Sequence, residues 1–399
     1  MKTIVEIFDE CQIENVIAAL NFKPEKIIFV GFKKNMKHDA KKSLAHFFKI
    51  RNIKSELVFE IVPRYDFEAI TQKLENIARQ NEDCVFDLTG GREMILTAMG
   101  YVAAKVNIPL IQFNVRSGEL INVKNSESIC TIEKPTICTE ESIILNGGKK
   151  TVNATPQWNF NSDFTNDIKY MWSVCRKNCG LWNKQCNFFS RLSEITHTYF
   201  EINIDKNLLK TYGTEPFLCD EIIKELIDGG LIKKFKNDKD YLSFEYKNEQ
   251  ISRVLSKAGN LLELYGYITA MEINTNEKGY YDDIAIGVSV DWDINNESEF
   301  TISAKNEVDL MLMRDLIPIF ISCKNGYVHK EDLYELETVA EKFGGKYVKK
   351  ILLCTFTDTS AISHKYLVKR AEEMGIHIID NVEKLEHCEF VDLFKKCIK

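Results

Sequence analysis

The chain of 399 residues is short of several features that would settle its class at once. It has no run of about 18 uncharged apolar residues, so no helical membrane span is expected. Its opening stretch, MKTIVEIFDECQIENVIAAL, is broken by Glu6, Asp9 and Glu10 and has no small-residue cleavage site. A secretory signal is therefore not expected, and a cytoplasmic location is. The formal net charge of −7 carries no positive excess, which argues against bulk electrostatic nucleic-acid binding but leaves room for a local basic groove. There is no G-x-G-x-x-G and no G-x-x-x-x-G-K-[ST], so the dinucleotide fingerprint and the P-loop are both missing. Among the 12 cysteines none forms C-x-x-C, and the tightest group, Cys175, Cys179 and Cys186, lacks a fourth ligand nearby. Cys84, Cys323 and Cys354 fall in predicted strands, the pattern of a reduced compartment rather than a disulfide framework.

What is present is ordinary globular material: 45% hydrophobic and 28% charged residues, enough for two or three domains. Over residues 1–130 apolar strands alternate with helices. Strands are predicted at Thr3–Phe8, Lys26–Phe32, Glu56–Val62, Cys84–Leu88 and Pro109–Asn114, with Leu120–Val123 as a hairpin partner. Continuous apolar strands with helical crossovers imply a parallel, doubly wound sheet whose ligand sits beyond the strands' carboxyl ends. Residues 131–250 read as a connecting segment. Its stretch EPFLCDEIIKELIDGGLIKKFKNDKDYLSFEYKN has the order of the last helix and wing of a winged helix. That helix carries Asp220, Glu221, Glu225 and Asp228, a poor surface for DNA. Residues 251–399 return to an α/β pattern. A helix is expected over Ile251–Tyr267, strands at Tyr267–Ile273, Asp283–Val290, Glu307–Met313 and Pro318–Cys323, and further helices and strands follow.

Two stretches carry chemistry. In VFDLTGGREMILTAMGYVAAK a strand, a glycine turn and a helix follow one another. Thr89, Gly90 and Gly91 fall at the strand's end, where backbone N–H groups can face a phosphate, and Arg92 adds a charged fork. The same sheet edge should carry Asp9 and Gln12, then Gly31 and Lys33, with Lys34 and Arg64 adding positive charge. A plain strand-to-helix turn accounts for the two glycines almost equally well. DLTGGREMILTAMG nonetheless resembles the signature of the CRISPR-associated Rossmann fold (CARF). The resemblance implies a homodimer that binds a cyclic oligoadenylate, cyclic tetra-adenylate for preference, across its two-fold axis. Thr89, Gly90, Gly91 and Arg92 would grip the ligand, and Asp9, Gln12, Gly31 and Lys33 would line it.

In NEVDLMLMRDLIPIFISCKNG two apolar strands flank Asp315-Leu316, and the second runs into Cys323-Lys324. If the turn centres on that pair, Asp309 faces Ser322; a shift of two places it opposite Lys324. Either register brings a carboxylate and an ammonium together at a sheet end. That pair is an ordinary salt bridge, or the start of a site for metal-assisted phosphodiester hydrolysis. GNLLELYGY, NEVDLML, FISCKNG and ETVAEKFGGKY together resemble the PD-(D/E)xK restriction-endonuclease-like domain of CARF-containing CRISPR ancillary nucleases. The resemblance implies that Glu263 and Asp309, with the backbone carbonyl of Cys323, hold Mg²⁺ or Mn²⁺ and that Lys324 is the motif lysine. It departs from the pattern at Ser322, where an acidic residue is usual; Glu307, Glu335 or Glu337 could supply the missing oxygen. The expected substrates are single-stranded RNA and DNA, with nicking of supercoiled DNA close behind. The competing expectation is a ligand-sensing transcription regulator with a decayed nuclease-like domain.

Overall fold

A computed structural model of the chain describes residues 2–9, 11–115, 117–124, 127–131, 135–150, 158–291, 305–355 and 361–398. Part of the connecting segment, residues 151–157, lies outside the described residues.

The first sheet has seven strands: β1 (Thr3–Ile7), β2 (Lys26–Phe32), β3 (Glu56–Val62), β4 (Cys84–Asp87), β5 (Leu110–Asn114), β6 (Glu119–Asn122) and β7 (Glu127–Thr131). Their order is β3-β2-β1-β4-β5-β6-β7, parallel from β3 to β5 and closed by two antiparallel strands. This is a Rossmann-like α/β sheet. Helices α1 (Ile17–Phe22) and α2 (His38–Ile50) cover one face, and α3 (Phe67–Gln80) and α4 (Glu93–Val106) the other. The strands are apolar at nearly every position because both faces are buried. Side-chain capping fixes the start of α3, where Asp66 accepts from the Ala69 N–H at 2.9 Å.

The second sheet has order β16-β15-β14-β13-β12-β8. Its strands are β8 (Lys149–Lys150), β12 (Asp283–Asp291), β13 (Lys305–Arg314), β14 (Ile317–Lys324), β15 (Lys349–Cys354) and β16 (Ile376–Ile379). Its outermost antiparallel strand, β8, thus comes from the connecting segment, just after helix α5 (Thr139–Leu145). Between the sheets in sequence lie α6 (Ser162–Lys177), α7 (Cys179–Thr196), β9 (Glu201–Asp205), α8 (Lys206–Thr211), α9 (Asp220–Asp228), β10 (Ile232–Asn237) and β11 (Tyr241–Tyr246). The small sheet β10-β11-β9 with its preceding helices has winged-helix order. Helix α9 is held down by its own acid. Glu225 receives the Tyr170 hydroxyl and pairs with Lys177, both on α6.

One predicted strand is a helix. Tyr267–Ile273 belongs to α11 (Gly259–Asn276), which follows α10 (Glu249–Leu255). Most of α11 is buried on all sides, including Leu261, Leu262, Leu264, Tyr265, Ile268, Thr269 and Ala270. A helix wrapped in protein shows no polar stripe, so periodicity alone does not separate it from a buried strand. It packs against one face of the second sheet, while α12 (Lys330–Gly344) covers the other. Helices α13 (Ile362–Glu373) and α14 (His387–Ile398) complete the chain.

The core under α12 does not stop at the second sheet. Phe8, Phe29, Leu44 and Phe47 of the first sheet's layer share one apolar cluster with Val290, Met311, Phe320 and Phe343. On the same side of β1 lies Glu6, 3% exposed, both carboxylate oxygens without a hydrogen-bond partner among the described residues. Burial, and then the charge of Asp87 beside it, push the Glu6 carboxyl well above its ordinary range. The folded chain therefore keeps a proton that the unfolded chain releases near pH 4.5. Stability contributed below that pH is lost as pH rises, by about 1.4 kcal/mol per unit until the folded group ionises. Glu6→Gln is expected to raise Tm at pH 7 and to leave it unchanged at pH 4, as read by thermal melts across that range.

Candidate active site and ligand rim

The β13–β14 hairpin fixes the second site. Asp315 and Leu316 have φ of 52° and 68°, the two-residue turn whose twist suits flanking strands. Pairing of Leu310 with Ile321 then sets Asp309 beside Ser322, the first of the two registers open from sequence. Asp309 Oδ2 accepts the Cys323 N–H at 2.6 Å and the Ser322 hydroxyl at 3.3 Å. The position usually held by a second acid here donates to the first. The Cys323 side chain points into the core and is 6% exposed.

Lys324 ends β14, half-buried, and its ammonium lies 2.9 Å from Asp332 Oδ1 on α12. Burial pulls the ammonium down, but the Asp332 bond and the charge of Asp309 outweigh it and leave it above its usual range. Asp332 also caps α12, its Oδ2 accepting the His329 N–H at 2.7 Å. Glu263, on α11, is pushed up to about 7, by burial first and by Asp309 second. Asp309 is raised as well, chiefly by burial. Two partly buried carboxylates that resist ionising side by side form a place where a cation is favoured.

A cleft of about 260 Å³ opens over these groups, walled by Glu307, Asp309, Ser322, Lys324 and Glu335. Glu263 is not part of that wall. Glu337 is engaged by Lys350, so of the three spare acids only Glu307 and Glu335 face the cleft. Among the described residues no three His, Cys, Asp or Glu side chains come together as a metal cage. The donor set is two hard carboxylates, the kind of oxygen ligand that Mg²⁺ or Mn²⁺ would take. Asn325 ties the loop down. It accepts from Thr355 at 2.6 Å and donates to the Ala258 carbonyl at 3.3 Å.

The first rim follows β1, β2, β3 and β4. Lys33, Lys34, Arg64 and Arg92 are exposed at the ends of β2, β3 and β4. Asp9 and Gln12 shape their own loop: Asp9 Oδ1 accepts the Cys11 N–H, and the buried Gln12 donates to the Asp9 carbonyl. Gly31 is buried against Met36 and Phe8. Thr89 turns inward, its N–H and hydroxyl donating to Asp87 Oδ1 and its oxygen accepting from the Phe113 N–H. Gly91 has φ of 118°, which only glycine adopts at ease, and a Cβ there would meet Ile7 at 2.5 Å.

Gly90 lies against Glu14, a residue the sequence did not single out. The Glu14 side chain is 1% exposed and pairs with Lys346 at 2.5 Å. It also receives the Tyr347 hydroxyl. The glycine turn of the first sheet and the loop after α12 of the second therefore share one buried carboxylate. A Cβ on Gly90 would come within 3.0 Å of Glu14 Cβ and force that contact apart. Gly90→Ala is expected to cost about 1–3 kcal/mol in urea unfolding. Gly100→Ala, in α4 with nothing within 4 Å of the added carbon, should instead gain about 0.5–1 kcal/mol.

No protein-family profile and no curated protein matches the chain. Solved structures do. Can2 from Sulfobacillus thermosulfidooxidans, determined in complex with cyclic tetra-adenylate, aligns over 100% of both chains with a TM-score of 0.73 and 15% identity. Protein VC1899 from Vibrio cholerae aligns over 99% of this chain and 98% of its own, with a TM-score of 0.75 and 16% identity. The chain has the same fold as these two proteins from end to end.

Proposed function

We propose that the chain is a metal-dependent nuclease of type III CRISPR defence, switched on by a cyclic oligoadenylate, with cyclic tetra-adenylate as the activator. The observation that carries the reading is the end of the β13–β14 hairpin, where Asp309, Lys324 and the nearby Glu263 meet beside an open cleft. The whole-chain likeness to a protein solved with cyclic tetra-adenylate supports the other half. Glu263, Asp309 and the Cys323 carbonyl are the groups that would hold Mg²⁺ or Mn²⁺. When bound, such an ion polarises the phosphate and acidifies water. Lys324, kept charged by Asp332, stabilises negative charge gathering on the phosphate oxygens. The Ser322 hydroxyl and Cys323 N–H hold Asp309 in one orientation through Oδ2, which would leave its other oxygen available to such an ion.

In this reading the activator lies on the rim of Lys33, Thr89, Gly90, Gly91 and Arg92, and a second copy of the chain closes over it. The resulting homodimer acts on single-stranded RNA and DNA, and on supercoiled DNA by nicking. Glu14 is the route of coupling: movement of the glycine turn shifts its carboxylate against Lys346 and Tyr347. The competing reading, a ligand-sensing regulator, draws on the winged-helix order of β9 to β11. It sits poorly with α9, which exposes Asp220, Glu221 and Asp228 and has Glu225 tied to α6.

Labelled single-stranded RNA, single-stranded DNA and supercoiled plasmid, incubated with and without cyclic tetra-adenylate in Mn²⁺ or EDTA, test the proposal. Cutting is expected only with ligand and metal, and Lys324→Ala should lower it about 100-fold or more. Ligand binding without any cutting would transfer the reading to the regulator. Lys346→Met is expected to bind the ligand as the parent chain does. Its stimulation by ligand should fall about 5-fold or more, measured as the ratio of rates with and without activator.

A further inference from the structure

Beyond Lys324 the chain turns through Tyr327 into α12, and a second cleft opens between the first turns of α12 and α13. Its volume is about 570 Å³, against about 260 Å³ for the cleft over Asp309. Three tyrosines stand in its wall. Tyr327 and Tyr366 are each 71% exposed, and Tyr334 is 42% exposed. The aliphatic side chains of Leu333 and Leu367 line it between them. Around the rings are His329, Lys330, His364 and Arg370, while Glu331 is the one acid in the wall among the described residues. Each of three has an acid beside it: Lys330 lies 3.8 Å from Glu331, His364 3.1 Å from Asp380 and Arg370 3.1 Å from Glu373. The Arg370 guanidinium lies 5.6 Å from the centre of the Tyr334 ring, so one platform already combines a flat aromatic with a cation.

The cleft adjoins the catalytic residues. Asp332, the partner of Lys324, sits on α12 between Glu331 and Leu333, both of which line it. A strand whose phosphate reaches Lys324 would pass its neighbouring nucleotides along these tyrosines. Exposed rings beside cations are how proteins hold unpaired bases: each base stacks on a ring while the backbone follows the positive charge. A duplex keeps its base faces covered and gains nothing from such rings.

We propose that the cleft between α12 and α13 is a base-stacking site that takes unpaired nucleotides next to the scissile phosphate, with Tyr327, Tyr334 and Tyr366 as the platforms. The proposal rests on the nuclease reading for the position of the scissile phosphate, but its test does not require hydrolysis. Fluorescence anisotropy in EDTA, on the full chain with and without cyclic tetra-adenylate, would compare three probes of equal length. These are a fluorescein-labelled oligothymidylate, an abasic strand and a duplex. The oligothymidylate is expected to bind about tenfold more tightly than the abasic strand. The double variant Tyr327→Ala and Tyr366→Ala should bind both at the abasic level, while the corresponding double Phe variant keeps the preference. A strand carrying 2-aminopurine should be quenched on binding the parent chain and not the Ala variant. Equal affinity for oligothymidylate and abasic strand, or an Ala variant that binds and quenches like the parent, overturns the proposal. A chain that shows the stacking pattern yet cuts nothing would keep this site and lose the nuclease reading. One that cuts but is blind to the bases would do the reverse.

Discussion

The register of one hairpin governs everything at the second sheet's end. A strand has a side-chain period of two, so a slip of one residue between β13 and β14 would carry Asp309 to the opposite face, where Leu310 and Ile321 now pack. The two-residue turn at Asp315-Leu316 forbids that slip at a local cost. Neither residue is glycine, yet both have positive φ, a conformation disfavoured for side chains. Leu316 is 1% exposed, so its buried side chain offsets part of the strain. Backbone tension at the turn is thus exchanged for a fixed carboxylate at the far end of the strand.

That carboxylate is held differently from the pattern the sequence resembles. A second acid at Ser322 would add a third negative charge in a partly buried place, where Glu263 is already pushed to about 7. With serine there, the neighbouring group donates to Asp309 and eases its ionisation. The site has one acid fewer and a carboxylate easier to charge, with Glu307 and Glu335 as the other acids in the cleft wall.

Much of this was legible. The parallel sheet followed from strands apolar at nearly every position, and of the two registers left open the one with its turn centred on Asp315-Leu316 is found, with Asp309 beside Ser322. The misread segment, Tyr267–Ile273, failed because α11 is buried all round and loses the polar stripe that marks a helix. Asp332 was hidden by its capping role: an acid in the first turn of a helix already has an explanation. Glu14 was illegible in principle, since its partner Tyr347 is 333 residues away and no local pattern links them. The residues pinned by backbone rules were readable; those pinned by long-range contacts were not.

The apolar cluster that joins the two sheets sets the scale on which the molecule can respond. Phe8, Phe47, Met311 and Phe343 belong to one packed body, and β8 stitches the connecting segment into the second sheet. A contact so apolar makes a poor hinge, since opening it would wet the rings on both sides. Any displacement of the glycine turn would have to travel as shear, with side chains sliding past one another by fractions of their own width. Such a body transmits short strokes with little slack. It would also melt as one unit, because parting the layers strips the cover from both at once.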